Sequence, residues 1–166
     1  EDVATHGGPY KVTDGIAEAF PGRIFETPIA EAGIVGIGVG AAMAGMRPVV
    51  ELMYLDFVTC AMDEVVNQAA KMRYMFGGQV NLPIVFRISE YYGASVAAHH
   101  SDRPHPIFMN IPGFKVVFPS GAYDAKGLLK TAIREDDPVA YFEGRTLLGA
   151  RQTVPEEEYT IPFGVA

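Results

Sequence analysis

Short apolar runs rich in β-branched and aromatic residues alternate along the chain with longer segments of helical periodicity. The short runs predict strands over Arg23–Glu26, Val49–Tyr54, Leu82–Ser89, Lys115–Pro119 and Val139–Glu143. The longer segments predict helices over Lys11–Phe20, Glu31–Gly45, Thr59–Phe76 and Ala122–Arg134.

This alternation determines the predicted fold class. Strand, helix and strand in repetition predict an α/β protein with a parallel sheet flanked by helices on both faces. Ligands of such sheets bind beyond the carboxyl ends of the strands, so the loops there are candidate ligand loops. They are Thr27–Glu31, Leu55–Val58 and Glu90–Gly113. The third is over twenty residues long, which indicates function or mobility inside a compact domain.

Composition and charge narrow the class of protein. The 166 residues suit one domain, and 49% hydrophobic with 20% charged residues is ordinary for a globular protein. Arg47 and Pro48 interrupt the longest apolar run, which argues against a membrane span. A net charge of −7 argues against nucleic acid as the main partner. The single cysteine, Cys60, excludes an internal disulfide and a cysteine metal cluster, and we expect it in the core of a protein from a reducing compartment.

The two ends of the sequence are typical of a fragment. The sequence opens on EDVATHGG without a methionine and closes on YTIPFGVA without completing a helix or strand. We therefore expect the 166 residues to be a piece of a longer protein, and the lack of a visible targeting segment carries little weight.

A glycine run inside the longest apolar segment has two interpretations. The letters GIGVGA from Gly36 to Ala41 fit the dinucleotide fingerprint, with Glu51 as the downstream acid. That fingerprint needs a full strand before the first glycine and an acid about 20 residues on. Only the letters GIV stand between Ala32 and Gly36, and Glu51 follows Gly36 by fifteen residues. A nicotinamide-dependent dehydrogenase is therefore disfavoured.

The second interpretation is a helix that begins near Glu31. Spacings of three and four place Gly33, Gly36 and Gly40 on one face, where another helix can approach closely. Such contact offsets the cost of glycine in a helix, which is up to about 1 kcal/mol per residue relative to alanine. The sequence leaves open whether the close packing lies within the fold or across a subunit interface.

Four sequence blocks, taken together, resemble one family. They are TPIAEAGIVGIGVGAAMAGMRPVVE, FVTCAMDEVVNQAAKMRYMFGGQ, AAHHS and IPGFKVVFPSGAYDAKGLLKTAIREDDPV, in this order and with no visible gap. Over essentially all 166 residues the chain resembles the beta chain of thiamine-diphosphate-dependent 2-oxo acid dehydrogenases, of the pyruvate, branched-chain 2-oxo acid and acetoin types. The resemblance implies the transketolase-like pyrimidine-binding fold. It also implies that residues 1–166 are an incomplete domain, without its first strand and without the C-terminal transketolase-like domain of relatives.

The resemblance implies three cofactor-binding residues. Glu31 matches the family glutamate that hydrogen-bonds the pyrimidine ring of thiamine diphosphate and lets the exocyclic amine act as a base. Phe57 matches the aromatic residue that packs on this ring, and Met53 lines the same pocket. Without the resemblance, Glu31 is a first-turn glutamate favoured by the helix dipole, and the other two are ordinary core residues.

The resemblance implies a second catalytic residue in the long loop. His100 aligns with the histidine of the family's Gln/His-His-Ser motif, which borders the 2-oxo acid and assists acyl transfer to the lipoyl group. Ser101 is expected to orient the loop, whereas His105 has no family counterpart. Adjacent histidines, here His99 and His100, otherwise indicate adventitious metal binding or solvent exposure.

The same loop is where the sequence departs from the family. ISEYYGAS follows Arg87 in place of the usual Gly and Pro, and DRPHPIF follows Ser101 in place of a Gln-led aromatic segment. The sequence therefore does not distinguish pyruvate, a branched-chain 2-oxo acid and acetoin as the substrate. Arg103, near the expected mouth of the site, pairs either with a carboxylate of the substrate or partner chain or with Asp102.

Relatives also hold a structural monovalent cation, typically potassium, with backbone carbonyls near the end of a helix. By position, the carbonyls in this chain belong to Leu82, Ala132, Ile133, Glu135 and Asp137. Carbonyl oxygens suit a hard cation, although side-chain identity barely specifies such a site.

The resemblance also implies partner chains. The family's Gly-Asp-Gly segment and downstream Asn, which hold Mg²⁺ on the diphosphate, have no counterpart in this sequence. An alpha chain in an α2β2 heterotetramer, docked on a lipoyl acyltransferase core, is expected to supply them, and this chain alone is expected to be inactive. The implied location is the bacterial cytoplasm or the mitochondrial matrix. A non-catalytic module that retains the fold and its interface is the alternative from another functional class.

Overall fold

A sheet of four parallel strands lies at the centre of the molecule. The computed structural model describes residues 2–8, 10–91, 93 and 95–165. Val49 pairs with Val85, which in turn pairs with Val139, and all pairings are parallel, so the predicted α/β architecture is confirmed. In the order β1-β2-β4-β3 across the sheet, the strands are β1 (Val49–Leu52), β2 (Val85–Glu90), β3 (Lys115–Val117) and β4 (Val139–Gly144).

Helices cover both faces of this sheet. The α-helices are α1 (Ile16–Ala19), α2 (Glu31–Met43), α3 (Met72–Met75), α4 (His105–Met109) and α5 (Ala122–Arg134). The other helical segments are two 3₁₀ helices, Leu55–Ala61 and Ala98–His100, and a π-helix, Glu64–Ala69. Helix α2 and the segment 55–69 pack on one face, whereas α5 packs on the other.

The core consists of two clusters, one on each face of the sheet. The larger cluster joins Val35 of α2 to Phe86 of β2 and Phe142 of β4. The smaller cluster joins Tyr141 of β4 to Ala132 of α5. Every residue of β2 and β4 is buried, because layers on both sides exclude water.

Two predicted elements near the N-terminus differ from the structure. The strand predicted over Arg23–Glu26 is wrong, because this segment pairs with no strand of the described chain and Phe25 is 76% exposed. Residues with strand propensity form a strand only where a neighbouring strand supplies hydrogen-bond partners. Of the helix predicted over Lys11–Phe20, only α1 forms, since Gly15 takes a left-handed conformation directly before it.

The helix predicted over Thr59–Phe76 is wrong as one continuous α-helix. The observed helical segment starts at Leu55 as a 3₁₀ helix, continues as the π-helix and ends in α3. The predicted loop Leu55–Val58 is therefore its first turn. The spacing of the buried residues changes from three to four along this segment, and the helix winding follows that spacing. Within residues 55–69 the buried residues are Leu55, Val58, Ala61, Val65 and Ala69. The same spacing turns Cys60 outward, so its predicted place in the core is wrong.

Gly38 determines how closely α2 approaches the sheet. A Cβ atom built on Gly38 would lie 2.3 Å from Val50 Cγ2 and 3.1 Å from Ile84 Cδ1. Interiors are close-packed, so a side chain enters this space only if its neighbours shift. Gly40, in contrast, has no atom of the described residues within 4 Å of its built Cβ. The close approach therefore occurs within the fold, between α2 and β1.

The face of α2 that carries the other glycines makes ordinary contacts. A Cβ on Gly33 would lie 3.7 Å from Ala30 Cβ, and one on Gly36 would lie 3.9 Å from Glu64 Cγ. No other helix of the described chain makes the close approach expected there, and a subunit interface on this face stays a prediction. The dinucleotide interpretation is wrong, because Gly36 to Ala41 lie inside α2 and not at a turn between strand and helix.

We expect Gly38→Ala to destabilise the folded chain by about 1–3 kcal/mol, because the new methyl group overlaps Val50. Gly40→Ala is the matched control in the same helix, and we expect it to raise stability by up to about 1 kcal/mol through helix propensity. The thermal unfolding midpoint of the full-length chain measures both changes. Equal shifts for the two variants would contradict the close contact at Gly38.

Candidate functional site

A cavity opens at the carboxyl end of β1. Its volume is about 420 Å³, which lies within the range of small-molecule sites. Four residues singled out in the sequence line it together, namely Glu31, Met53, Phe57 and His100. The other lining residues are Ile29, Ile34, Glu51, Leu52 and Tyr54.

The four predicted residues reach the cavity from different elements. Glu31 is the first residue of α2, and Met53 directly follows β1. Phe57 lies in the first 3₁₀ helix, and His100 is the last residue of the second. The parallel sheet gathers them because chain segments that leave its carboxyl edge surround one crevice. Their individual roles stay predictions.

Tyr54 joins the aromatic residues of the cavity. Its ring stacks on Tyr91 with centroids 4.9 Å apart and meets His100 edge-on at 4.7 Å. Phe57 also meets His100 edge-on, at 5.3 Å. Edge-to-face contacts constrain ring orientation, so these two rings contribute to the orientation of the imidazole. The sequence analysis missed Tyr54, although an aromatic residue next to Met53 at a strand end was a usable signal.

Glu31 places one carboxyl group in largely apolar surroundings. It is half-buried at the N-terminus of the 13-residue helix α2, where the helix dipole favours a negative charge. Ile29 and Ile34 also line the cavity. A cavity with largely apolar walls, aromatic rings and the carboxyl group of Glu31 can pack a planar heterocycle and orient it with a hydrogen bond.

A buried ion network lies on the sheet beside the cavity. Arg87 of β2 donates to Glu51 of β1 and, at 2.5 Å, to Glu143 of β4. Burial raises the pKa of Glu51 against the opposing effect of Arg87, and Glu143 raises it further. Burial acts to lower the pKa of Arg87, but the two carboxylates outweigh it and raise that pKa. Because two carboxyl groups share one guanidinium, a proton on Glu51 relieves the excess negative charge.

Another buried carboxylate lies at the end of β2. Glu90 is 1% exposed, and its Oε1 lies 2.7 Å from Nδ1 of His105, the first residue of α4. The His105 ring contacts Phe118 and Phe142 with centroid distances of 5.9 and 6.0 Å. The sequence analysis named His105 without a role and missed Glu90. No local pattern indicates that two residues this far apart meet.

The carbonyls predicted to hold potassium lie at the opposite, amino-terminal edge of the sheet. Leu82 N donates to Asp136 O at 3.1 Å, which joins the segment before β2 to the segment after α5. The Ile133 and Glu135 carbonyls accept from Arg47 Nη1 at 3.1 and 2.8 Å. As the chain folds here, these carbonyls do not fit an open cation site, because the guanidinium already bonds to two of them.

Comparison with protein families identifies the domain. Residues 1–151 match the family described as transketolase, pyrimidine binding domain, which covers most of the chain. The chain belongs to this family. The resemblance seen in the sequence and the predicted pyrimidine-binding fold are thereby confirmed.

Relatives of this pyrimidine-binding domain carry three different names. The pyruvate dehydrogenase E1 component subunit beta of Rickettsia conorii is 50% identical over 100% of this chain and 51% of its own length. The acetoin:2,6-dichlorophenolindophenol oxidoreductase subunit beta of Cupriavidus necator is 48% identical over 96% and 47%. The 2-oxoisovalerate dehydrogenase subunit beta of Bacillus subtilis is 44% identical over 100% and 51%. The chain spans about half the length of each relative.

A solved structure shares the fold of this pyrimidine-binding domain. A split gene transketolase, described as an inactive beta4 tetramer, matches 83% of this chain and 42% of its own chain with a TM-score of 0.68. Its sequence identity is 23%, so the likeness concerns the fold alone.

Within the described residues, no helix is both long enough and apolar enough to cross a membrane.

We expect the stability advantage of Glu51→Gln over the wild type to grow as the pH rises. At acidic pH Glu51 is protonated in the folded and the unfolded state, so the substitution changes little. Above about pH 4.5 the unfolded state loses this proton first, and the wild type loses stability as the pH rises through the raised pKa of the folded state. Glutamine does not titrate. Thermal unfolding midpoints of the full-length chain between about pH 4 and pH 8 measure the difference.

The contrasting variant is Arg87→Met, which leaves Glu51 and Glu143 buried without their cation. We expect it to destabilise the chain by about 3–5 kcal/mol near neutral pH. If the unfolding midpoints of Glu51→Gln and the wild type changed in parallel with pH, the raised pKa of Glu51 in the folded state would be ruled out.

Proposed function

We propose that this chain forms the pyrimidine-binding half of the active site in the beta subunit of a thiamine-diphosphate-dependent 2-oxo acid dehydrogenase. The enzyme oxidatively decarboxylates a 2-oxo acid and transfers the acyl group to lipoamide. The observation that carries this proposal is the cavity that Glu31, Met53, Phe57 and His100 line together. Relatives named as pyruvate and 2-oxoisovalerate dehydrogenase subunits support the reaction class.

The residues of the cavity fit the aminopyrimidine ring of thiamine diphosphate. Glu31 would share a proton with a ring nitrogen, while Phe57 and Met53, both half-buried, would pack on the ring and exclude water. When bound, the cofactor supplies the carbanion chemistry of decarboxylation. The imidazole of His100 would move a proton at the oxygen of the reacting carbonyl group, since imidazole exchanges protons near neutral pH.

An alpha chain is the partner that this proposal requires, in an α2β2 heterotetramer. The lining residues that the structure describes include neither lysine nor arginine, the usual side chains for a diphosphate. The alpha chain would supply the diphosphate and Mg²⁺ sites. Phe25 and Ile29, which are 76% and 72% exposed and precede Glu31, present an apolar surface that such a partner would cover. A lipoyl acyltransferase core would receive the acyl group.

The substrate is a small 2-oxo acid or the acyloin acetoin. Relatives named for pyruvate, acetoin and 2-oxoisovalerate are 50%, 48% and 44% identical to this chain, so identity does not separate the three. Acetoin cleavage is therefore the second candidate activity, favoured by the relative from Cupriavidus necator. Turnover rates of the assembled enzyme with pyruvate, 2-oxoisovalerate and acetoin distinguish the candidates.

We expect Glu31→Gln to leave folding and assembly intact and to lower the decarboxylation rate at least about 100-fold, because an amide cannot share the proton. Phe57→Ala should weaken thiamine diphosphate binding about tenfold or more through lost apolar contact. Turnover assays and calorimetric titration of thiamine diphosphate with Mg²⁺ into the assembled full-length chains measure the two effects.

The matched control for this experiment is Glu18→Gln, which changes an exposed first-turn glutamate of α1. Both its turnover and its cofactor affinity should equal those of the wild type. Near-normal decarboxylation by Glu31→Gln would contradict the catalytic role of Glu31. Failure of the wild-type assembly to bind thiamine diphosphate would instead favour the non-catalytic module.

We also propose that Arg47 and a potassium ion are alternatives at the carbonyls after α5. The C-terminus of a helix carries a partial negative charge, which a cation stabilises. In this chain Arg47 supplies the positive charge to the Ile133 and Glu135 carbonyls, and its Nη2 pairs with Asp136.

We expect Arg47→Gln to lower the stability of the chain by about 1 kcal/mol and to make it dependent on potassium, because the freed carbonyls become open to a cation. Thermal unfolding in potassium chloride and in tetramethylammonium chloride of equal ionic strength measures this dependence. Arg73→Gln is the matched control, since Arg73 pairs with the Asp137 side chain. An equal potassium response in the wild type and Arg47→Gln would refute the exchange.

A further inference from the structure

The hydrogen bond between Glu90 and His105 joins the two ends of the chain segment that carries His100. The two residues are fifteen positions apart, yet Oε1 and Nδ1 lie within 2.7 Å. The bond therefore brings together the two ends of a loop whose described residues are 91, 93 and 95–104. The proposed chemistry assigns no role to either end residue.

The closure is built from a buried carboxylate and a constrained imidazole. Glu90 is 1% exposed, so water cannot satisfy its carboxyl group and the group depends on a protein partner. Pro104 and Pro106 flank His105 and restrict the backbone around it. The ring itself meets Phe118 edge-on. His105 is thus preorganised to bind Glu90.

The loop between these ends contacts the rest of the fold through Tyr91, which stacks on Tyr54, and through His100, which meets Tyr54 and Phe57 edge-on. Its described residues from 93 to 99 are exposed. The Ser101 hydroxyl accepts from Val96 N at 2.9 Å and donates to Ala97 O at 2.8 Å, and both bonds stay inside the loop. Asp102 N donates to Asp56 Oδ1 at 2.9 Å, which is a link to the rest of the fold. The bond between Glu90 and His105 therefore adds to these contacts in fixing the location of the loop.

We propose that Glu90 and His105 are positioning residues whose bond closes the loop and holds His100 against Tyr54 and Phe57 at the cavity. The catalytic consequence rests on the function proposed above. Without the bond, the loop gains conformations, and the imidazole spends less time in place. The loss falls on the step that His100 serves and not on cofactor affinity, because the pyrimidine-binding residues lie outside the loop.

Three variants of the full-length chain, assembled with its alpha chain, test this inference. His105→Ala removes the bond to Glu90. His105→Asn keeps an amide donor near the place of Nδ1 and should restore the bond. His99→Ala removes an exposed histidine of the same loop and is the matched control.

The first measurement is hydrogen exchange of peptides that cover residues 95–103, without substrate or cofactor. We expect exchange about tenfold faster in His105→Ala, as for loss of one hydrogen bond, and near-wild-type exchange in His105→Asn and His99→Ala. Exchange in His105→Ala equal to that in His99→Ala would overturn the inference, whether or not the assembly is active.

The second measurement is a double-mutant cycle with His100→Ala. We expect His105→Ala alone to lower kcat for acyl transfer to lipoamide about tenfold at unchanged thiamine diphosphate affinity. Added to His100→Ala it should cost nothing more, because it acts through that imidazole. An equal loss in both backgrounds would overturn the positioning role. A wild-type assembly without acyl transfer would overturn the proposed function, and the exchange comparison would still decide on the loop closure.

Discussion

The parallel pairing of β1, β2 and β4 is the constraint on which the site depends. Because these strands run in the same direction, their carboxyl ends meet at one edge, and that edge collects residues from distant parts of the chain. Met53 directly follows β1, Glu90 is the last residue of β2, and Glu143 is the second-last residue of β4. The cavity, the ion network and the closed loop are all consequences of this one pairing.

The same edge carries charged groups where water is largely excluded. Glu51 and Glu143 share the guanidinium of Arg87, and Glu90 depends on His105. Each carboxyl lies under the layers that cover the sheet, so its charge has to be balanced by a neighbour or removed by a proton. Groups with a perturbed pKa are typical of functional sites, and Glu51, whose pKa is raised by burial, lines the cavity.

How well the sequence predicted each helix or strand depended on how the residues of that segment are buried. The helix predicted over Ala122–Arg134 coincides with α5, because its apolar stripe has one regular period. Strands β2 and β4 were found because burial on both faces leaves a continuous apolar run. The strand over Arg23–Glu26 failed, since its residues have the propensity but lack a neighbouring strand. The helix over Thr59–Phe76 failed as a single element because its buried spacing changes along its length.

The sequence by itself predicted the fold class and the family, because periodicity and motif similarity are properties of short stretches of chain. It also predicted the candidate residues Glu31, Met53, Phe57 and His100. The folded chain was needed to show that these four line one cavity. It was also needed to show that α2 packs through a different glycine than expected and that a carboxyl at the end of β2 meets His105. Such contacts depend on distances between residues far apart in sequence, and those distances arise only when the strands pair and the helices pack on them.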